Sequence, residues 1–337
     1  MIAKMNGLEK IRDRTALCIL FGLALVSSSC SYQGVRVRVG AVPSLYPIAI
    51  LPNASNLGRH NFLENNGLVY TCRGGLVDIV HVRNAADFTK AFAETIFDRL
   101  MAGDESFSLR MREPSKYLVE LEYPGYWQSL SLAEKERIAS DLSVSLGAYI
   151  CHVGATWHEI LTWFGYKSTG IIPEFYSAFT VEDVFSNLLG SYLAEKVLND
   201  NEHDFDKLLT EAIREELEKL GVQPRYAARQ AAKQTRGKRN FDIGLGDGYV
   251  TPWLMSISGI PGCNGVRAES YPVPDTDILC EYGFSMVLEI EPRELEKGRL
   301  LKVAGKRRTI NPETDFPVIM KYVLKQAVSR YGYDVST

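Results

Sequence analysis

The chain has 337 residues, of which 46% are hydrophobic and 23% are charged, which is the composition of an ordinary globular protein. This length suits one large domain or two small ones. The net charge of −3 argues against a general nucleic-acid-binding protein, so no nucleic-acid partner is expected.

The N-terminus has the pattern of an export signal. Four basic residues precede the apolar run Ala16–Val26, which is too short to span a bilayer and is typical of a signal peptide. The run SSSC that follows resembles a bacterial lipobox ending at Cys30, although Ser27 stands where leucine is usual. We predict a palmitate-bearing lipid anchor at Cys30, with plain secretion as the alternative. Because no aspartate follows Cys30, the expected location is the periplasmic face of the outer membrane.

Four cysteines remain after the signal peptide and the lipidation site, and an oxidising compartment permits disulfides. Cys263 and Cys280 flank a turn-rich segment, so we predict that they pair. Cys151 lies in a long apolar stretch and is expected to be a small core residue. Cys72 is left over as a thiol that calls for a second explanation.

The segment after the signal peptide, residues 30–66, contains three prolines and is predicted to be an extended, lipidated arm. Beyond it, turn residues precede a strand over 68–72, and a glycine pair precedes a second apolar strand ending at His81. Residues 87–100 have the apolar spacing of an amphipathic helix. Residues 109–112 and 117–123 alternate as the strands of a hairpin do.

The most informative stretch is a long helix that begins near Leu132 and ends by Tyr166. No charged residue occurs between Leu142 and Trp157, and then His158 and Glu159 follow together. At 100° per residue two opposite faces are apolar or small, which predicts a central helix buried on two sides. Burying an ionised group without a partner costs several kcal/mol, so His158 and Glu159 are expected to have polar partners.

The rest of the chain contains further helices and then strands. Helices are predicted from Thr180, over 206–220 and over 225–239, and a last helix over 316–330 ends at Gly332. The region from residue 240 onward is rich in glycine, proline and alternating strand patterns. The prediction is therefore a signal peptide over 1–29, the arm over 30–66, and one α+β domain over 67–337 with a central buried helix between strand-bearing N- and C-terminal regions.

Three distant segments carry the residue types of a polar site. Their residues are Cys72, Arg73, Asp78, His81 and Arg83; His158 and Glu159; and Glu174, Ser177, Glu182, Asp183 and Asn187. The motifs YTCR…D…HVR, WHE…TW and SAF…ED…SNLLG resemble those of domain-of-unknown-function family 4056, a family of bacterial envelope lipoproteins. The resemblance implies a lipoprotein fold with a shared polar centre and implies no activity.

Three functions are consistent with this polar centre. The first is a metal-assisted hydrolase in which His81 and His158 bind zinc and Glu159 is the general base or third ligand. The second is a thiol hydrolase that uses Cys72, His81 and a carboxylate. The third is a non-catalytic structural or binding protein of the envelope, in which the charges form a buried ion network.

These three hypotheses make further predictions about individual residues. Asp78 and Glu174 are further candidate catalytic carboxyls. The metal hypothesis predicts that the His81 and His158 rings approach each other beside Glu159, with a pocket at that point. Two further histidines, His60 and His203, are expected at the surface.

Overall fold

The computed structural model describes residues 31–32, 35–36, 38, 50–51, 54–167, 175, 177–200, 204–257 and 263–333. The predicted signal peptide, the lipidation site Cys30, the candidate carboxyl Glu174 and His203 lie outside the described residues.

The described part of the chain is mainly helical. The helices are α1 (Ile79–Ala102), α2 (Leu132–Phe164), α3 (Asp183–Leu198), α4 (Phe205–Lys219), α5 (Arg225–Gln234), α6 (Asp277–Glu281), α7 (Lys297–Ala304) and α8 (Pro312–Tyr331), with one 3-10 turn at Trp127–Ser129. The strands are β1 (Ser31–Tyr32), β2 (Val35–Arg36), β3 (Leu68–Thr71), β4 (Gly75–Asp78), β5 (Ser106–Leu109), β6 (Lys116–Glu122), β7 (Tyr249–Val250), β8 (Tyr271–Pro272) and β9 (Ser285–Glu291). This architecture confirms the predicted α+β class.

Helix α2 is the predicted central helix, and its ends have local causes. Ser131 and Glu134 form a reciprocal capping box at the N-terminus, and Gly165 ends the helix in the left-handed conformation. Its 33 residues are long and apolar enough to cross a membrane, but 83% of its most apolar window is buried inside the protein. Helix α2 is therefore a core helix, as the uncharged stretch predicts.

Helix α1 begins eight residues earlier than predicted, and the strand predicted to end at His81 ends at Asp78 instead. The reason is the side chain of Asp78, which caps the helix by accepting a hydrogen bond from the backbone nitrogen of Val80 at 2.9 Å. His81 is therefore a helical residue in the first turn of α1. This change places its side chain at the N-terminal end of a helix.

Helix α1 packs between α2 and α3 at close range because two glycines permit it. A Cβ on Gly147 of α2 would lie 2.8 Å from the carbonyl oxygen of Thr89, and a Cβ on Gly190 of α3 would lie 2.2 Å from that of Val82. Both approaches are shorter than a side chain allows. The tight contact with α3 brings the N-termini of α1 and α3 to the same end of the helical layer.

The strands form small antiparallel sheets beside these helices. β3 and β4 form a hairpin, and β5, β6 and β9 form a three-stranded sheet in that order. The hairpin predicted over 109–112 and 117–123 is formed by β5 and β6, but β5 ends at Leu109, where the predicted first strand begins. The C-terminal region has less strand than predicted, since residues 277–281 form α6.

The disulfide prediction is wrong. Cys263 bonds to Cys72, with their Cα atoms 4.8 Å apart, and Cys280 is a free, exposed cysteine at the end of α6. The segment near Cys263 lies along the β3–β4 turn, where the backbone nitrogen of Glu269 donates to the carbonyl oxygen of Arg73 at 2.9 Å. Sequence spacing does not show this long-range contact. Cys151 is buried, as expected, and its thiol donates to the carbonyl oxygen of Ala85.

The segment before β3 is held to α1 by a buried group of ions that we call the arginine cluster. It contains Arg38, His60, Glu64, Arg83 and Asp87. His60 was expected at the surface, but its side chain is fully buried and its Nε2 lies 2.7 Å from Oδ1 of Asp87. The contact with Asp87 explains why His60 is buried, and residue type alone does not predict this contact.

Candidate functional site

Polar side chains meet where the N-termini of α1 and α3 converge. The backbone nitrogen of Asp78 donates to Oγ of Ser186 at 2.9 Å, which ties the start of α1 to the first turns of α3. Helix N-termini favour nearby negative charge, and both helices begin next to carboxyl groups here. Together with Glu159 of α2 these residues form what we call the acid centre. Its members are Asp78, His81, Glu159, Glu182 and Asp183.

His81 is the most accessible member of the acid centre, with a side chain that is 22% exposed. Its Nδ1 lies 3.0 Å from Oδ2 of Asp78 and 3.5 Å from Oδ1 of Asp183. Burial alone would lower the pKa of His81, but the charges of Asp183 and Asp78 outweigh it and raise the pKa to about 10. The ring is therefore an imidazolium at neutral pH. Because Nδ1 faces the two carboxyls, Nε2 is the atom left for another partner.

Glu182 and Asp183 are neighbouring buried carboxyls that share one hydroxyl. Oγ1 of Thr180 lies 3.0 Å from Oε1 of Glu182 and 2.6 Å from Oδ2 of Asp183. Burial, followed by the charges of Asp183 and Asp78, raises the pKa of Glu182 to about 8. Burial also raises the pKa of Asp183, although His81 acts in the opposite direction. The remaining oxygen of Glu182, Oε2, is buried without a hydrogen-bond partner among the described residues.

Glu159 is positioned by an unusual backbone conformation. Phe179 has a positive φ of 54°, a conformation rare for a bulky residue, and its backbone nitrogen donates to Oε2 of Glu159 at 2.6 Å. Burial and the charge of Asp183 raise the pKa of Glu159 to about 7, despite the opposing effects of His158 and His81. Glu159 therefore exchanges its proton closer to neutral pH than an ordinary glutamate does.

His158, the residue before Glu159, has a partner that the sequence did not suggest. Its Nδ1 lies 2.5 Å from Oε1 of Glu113, which follows strand β5. Burial would raise the pKa of Glu113, but the charge and hydrogen bond of His158 lower it. The side chain of His158 is about one-third exposed. This pair therefore forms a second, partly accessible ionic contact beside the acid centre.

A shallow depression lies on the side of α2 that carries Glu159. Its lining residues are His152, Ala155, Thr156, Glu159, Val184 and Asn187. Burial lowers the pKa of His152 to about 4, so this histidine is neutral at physiological pH. A pocket was predicted where His81, His158 and Glu159 meet, but neither of these two histidines lines the depression, and the depression is too narrow to hold a water molecule.

The two histidines predicted to share a metal face different carboxyls. Both influence the pKa of Glu159 and of Asp183, so they belong to one electrostatic neighbourhood. His81 nevertheless contacts Asp78 and Asp183, whereas His158 contacts Glu113. Within the described ranges, no three His, Cys, Asp or Glu side chains are arranged so that they could hold a metal ion. The described geometry does not assemble the proposed ligand set of His81, His158 and Glu159.

The thiol hypothesis is wrong, because Cys72 has no thiol to act as a nucleophile. Its sulfur is bonded to Cys263. The two arginines proposed for a network with Glu159 also lie elsewhere: Arg73 is half-exposed near Glu269, and Arg83 contacts Glu64 in the arginine cluster.

Sequence reasoning missed several residues that shape the site. Glu113 carried no signal, and Ser186 appeared only as the first residue of the SNLLG motif, because their contacts join segments that are far apart in sequence. Thr180 was recognised only as a helix start, whereas its hydroxyl and backbone nitrogen both contact Asp183. The adjacent acids Glu182 and Asp183 were the available signal, since two carboxyls at a helix start invite such a cap.

Of the comparisons with known proteins, the one with protein-family models gives a match. Neither the curated proteins nor the solved structures include a match to this chain. The model of the family described as "Protein of unknown function (DUF4056)" matches residues 28–240, which is well over half of the chain. The matched range contains every member of the acid centre and excludes Cys263. The chain therefore belongs to the DUF4056 family.

Proposed function

We propose that this protein is a lipid-anchored protein of the bacterial cell envelope whose acid centre catalyses hydrolysis by general acid–base chemistry. The observation that carries the proposal is the protonation pattern. A carboxyl with a pKa near 7 lies in the same electrostatic neighbourhood as a partly exposed imidazolium. Several ionisable groups with perturbed pKa values gathered in one place are typical of catalytic sites.

The proposed roles follow from the charges. Glu159, when ionised, takes a proton from a water molecule, and His81 donates a proton from Nε2 to the leaving group. Asp78 and Asp183 position the imidazolium through Nδ1 and keep it charged. General acid–base groups are most effective when their pKa lies near the working pH, which the pKa of Glu159 satisfies. Each proton lost by His81 is replaced from Glu159, so the pair returns to its starting state.

A zinc-dependent hydrolysis is the second candidate. The sequence suggests it through His81, His158 and Glu159, but the described residues do not assemble this ligand set, so it ranks below acid–base chemistry. Metal analysis of the purified protein separates the two candidates. Stoichiometric zinc that is lost in the His158→Gln variant, together with loss of activity on chelation, would favour the metal.

The envelope location is supported by the sequence alone, through the h-region Ala16–Val26 and the small-residue run that ends at Cys30. The disulfide is compatible with an oxidising compartment. Radiolabelled palmitate should enter the wild-type protein and not the Cys30→Ala variant. Labelling that persists in the variant would contradict the anchor.

The catalytic proposal is tested with Glu159→Gln. The wild-type protein is screened against chromogenic esters, amides, phosphodiesters and glycosides, and the variant should lose about 100-fold or more of any rate found, the usual scale for removing a general base. Glu216→Gln is the matched control, because Glu216 is also a buried glutamate but contacts Tyr271 and Lys219 outside the centre.

The same experiment has a readout that needs no substrate. Carbon-13 NMR of the glutamate carboxyls should show a group titrating near pH 7, distinct from Glu182 near pH 8, that disappears in Glu159→Gln. A non-catalytic role would be indicated if the wild-type protein hydrolyses none of these substrates and Glu159→Gln only lowers the stability.

A further inference from the structure

One loop exposes two large apolar side chains side by side. Phe62 is 63% exposed and Leu63 is 78% exposed, and they follow a turn in which the backbone nitrogen of Phe62 donates to the carbonyl oxygen of Arg59 at 3.0 Å. Isolated exposed apolar residues are common, but two adjacent ones at the tip of a loop are not explained by the fold itself. We call this feature the Phe62–Leu63 tip.

The backbone at the tip is strained. Asn61 and Leu63 have positive φ values of 58° and 35°, and for leucine this conformation is a clear outlier. Strain of this kind persists only where the surroundings enforce it, and it is common at functional sites. A relaxed loop could turn the two apolar side chains toward the protein, so the strain maintains their exposure.

The arginine cluster enforces this conformation from below. Nη2 of Arg38 donates to Oδ1 of Asn61 at 2.7 Å, and both carboxyl oxygens of Glu64 accept from Arg38 at 2.6 and 2.7 Å. The backbone nitrogen of Asn61 also donates to Glu64. At the base of the loop, the backbone nitrogen of Asn65 donates to the carbonyl oxygen of Leu57 at 2.8 Å. The two residues that flank the tip are thus fixed by buried ions.

The close packing at the base requires a glycine as well. A Cβ on Gly58 would lie 2.0 Å from the carbonyl oxygen of Leu63. The chain can therefore pass beneath the tip only where residue 58 has no side chain. The loop is a rigid support that presents the tip to the exterior.

The predicted lipidation site Cys30 lies only a few residues before Arg38, which holds the loop of the Phe62–Leu63 tip. Arg38, which contacts Asn61, is eight residues after Cys30, and eight extended residues span at most about 30 Å. A lipid on Cys30 would therefore hold this face of the protein within about 30 Å of the bilayer. A membrane surface is the apolar phase that such an anchor brings within reach.

We propose that the Phe62–Leu63 tip inserts into the interfacial region of a phospholipid bilayer and orients the anchored protein on it. The proposal rests on the lipid anchor of the proposed function and is independent of the catalytic chemistry. Charge has little part in it, because the nearby cations Arg59, Lys207 and Arg214 are accompanied by Asp204, Asp206 and Glu211. Docking through apolar burial should therefore depend weakly on salt and on anionic lipid.

The test uses the acylated mature protein reconstituted in phosphatidylcholine vesicles that contain brominated lipid. A tryptophan placed by Phe62→Trp should be quenched by the bromine, as measured against the wild-type protein with its native tryptophans. Leu295→Trp is the matched control, because Leu295 is 99% exposed but lies beyond strand β9. Equal lack of quenching at both positions in protein that floats with the vesicles would overturn the proposal.

A second measurement separates the tip from the anchor. If the mature protein is found to be unacylated, its own partition to the same vesicles is measured. The Phe62→Ser/Leu63→Ser double variant should then bind about tenfold more weakly or worse, since two apolar side chains are lost from the interface. No binding by the wild-type protein would reject the tip. The double variant should keep the wild-type activity. The result of the membrane test therefore does not depend on whether the catalytic proposal is correct.

Discussion

Helix α1 takes part in two buried ionic groups that differ in their balance of charge. In the arginine cluster Glu64 contacts Arg38 and Arg83, and Asp87 contacts His60 and Arg38. These partners lower the pKa values of both carboxyls although burial alone would raise them. In the acid centre, the strongest cationic effects on Glu159 and Asp183 come from imidazoles, and the pKa values of these carboxyls are raised. The carboxyls of both groups are buried, but their pKa values are lowered in the arginine cluster and raised in the acid centre.

This difference separates a structural role from a chemical one. The carboxyls of the arginine cluster remain ionised near neutral pH, so the cluster behaves as a fixed set of ion pairs. The acid centre retains protons near neutral pH, and its accessible imidazolium can exchange them. A protein that needed only rigidity would gain it from the first arrangement.

The largest expected effect is the loss of Arg38. The variant Arg38→Met removes the guanidinium that contacts both Glu64 and Asp87 and leaves these buried carboxyls with Arg83 and His60 alone, which should lower the free energy of unfolding by about 3 to 5 kcal/mol. Urea unfolding at pH 7 measures this change. The control is Arg59→Met, because the Arg59–Asp204 pair is exposed and should contribute less than about 1 kcal/mol. Equal effects would show that the cluster has no special stabilising role.

The variant His81→Gln should lower the free energy of unfolding by a smaller amount, about 2 kcal/mol at pH 7. The raised pKa means that His81 stabilises the folded state below its unfolded pKa of about 6.5, and that this contribution is lost as the pH rises through about 10. The difference between wild type and variant should therefore shrink in alkaline solution. His152→Gln is the control, since the lowered pKa of His152 leaves this histidine neutral in both the folded and the unfolded state above about pH 7.5, and its replacement should show no such pH dependence from there to about pH 10.

The variant Glu182→Gln is expected to change the free energy of unfolding by about 1 kcal/mol or more, with the opposite sign. Because the pKa of Glu182 is raised, the folded state holds an extra proton and loses stability as the pH rises from about 5 to 8. The variant should be more stable than wild type at pH 8 and similar at pH 5. Glu64→Gln sharpens the contrast, since the lowered pKa of Glu64 makes that variant less stable at neutral pH. If the free energy of unfolding depended more steeply on pH in Glu182→Gln than in the wild-type protein, the raised pKa of Glu182 would be contradicted.

The sequence predicted those parts of the fold that depend on local patterns. The extent of α2 followed from its uncharged run, and the end of α8 followed from Gly332. The gathering of Asp78, His81, Glu159 and Asp183 was also anticipated from residue type. The start of α1 was missed because an apolar run before a helix was taken for a strand, and the capping role of Asp78 was not recognised.

The errors concern contacts between distant segments. The bond between Cys72 and Cys263 depends on the path of the chain over the β3–β4 turn, which no local spacing records. The burial of His60 and the pairing of His158 with Glu113 have the same origin. Glycine spacing in α2 and α3 determined how closely α1 approaches, and hence where His81 lies, but the depth of that approach is a tertiary property.

The disulfide has a consequence for the order in which the protein matures. Its two cysteines are separated by 191 positions, and the partner in the C-terminal part lies beyond the family-matched range. If the chain is exported from its N-terminus, Cys72 emerges into the oxidising compartment long before Cys263 does. During that interval its thiol is open to mispairing, and Cys151 is the nearest cysteine that follows it in the sequence. Rapid burial of Cys151 by the packing of α1 against α2 would remove that wrong partner, so early helix assembly protects the later covalent closure.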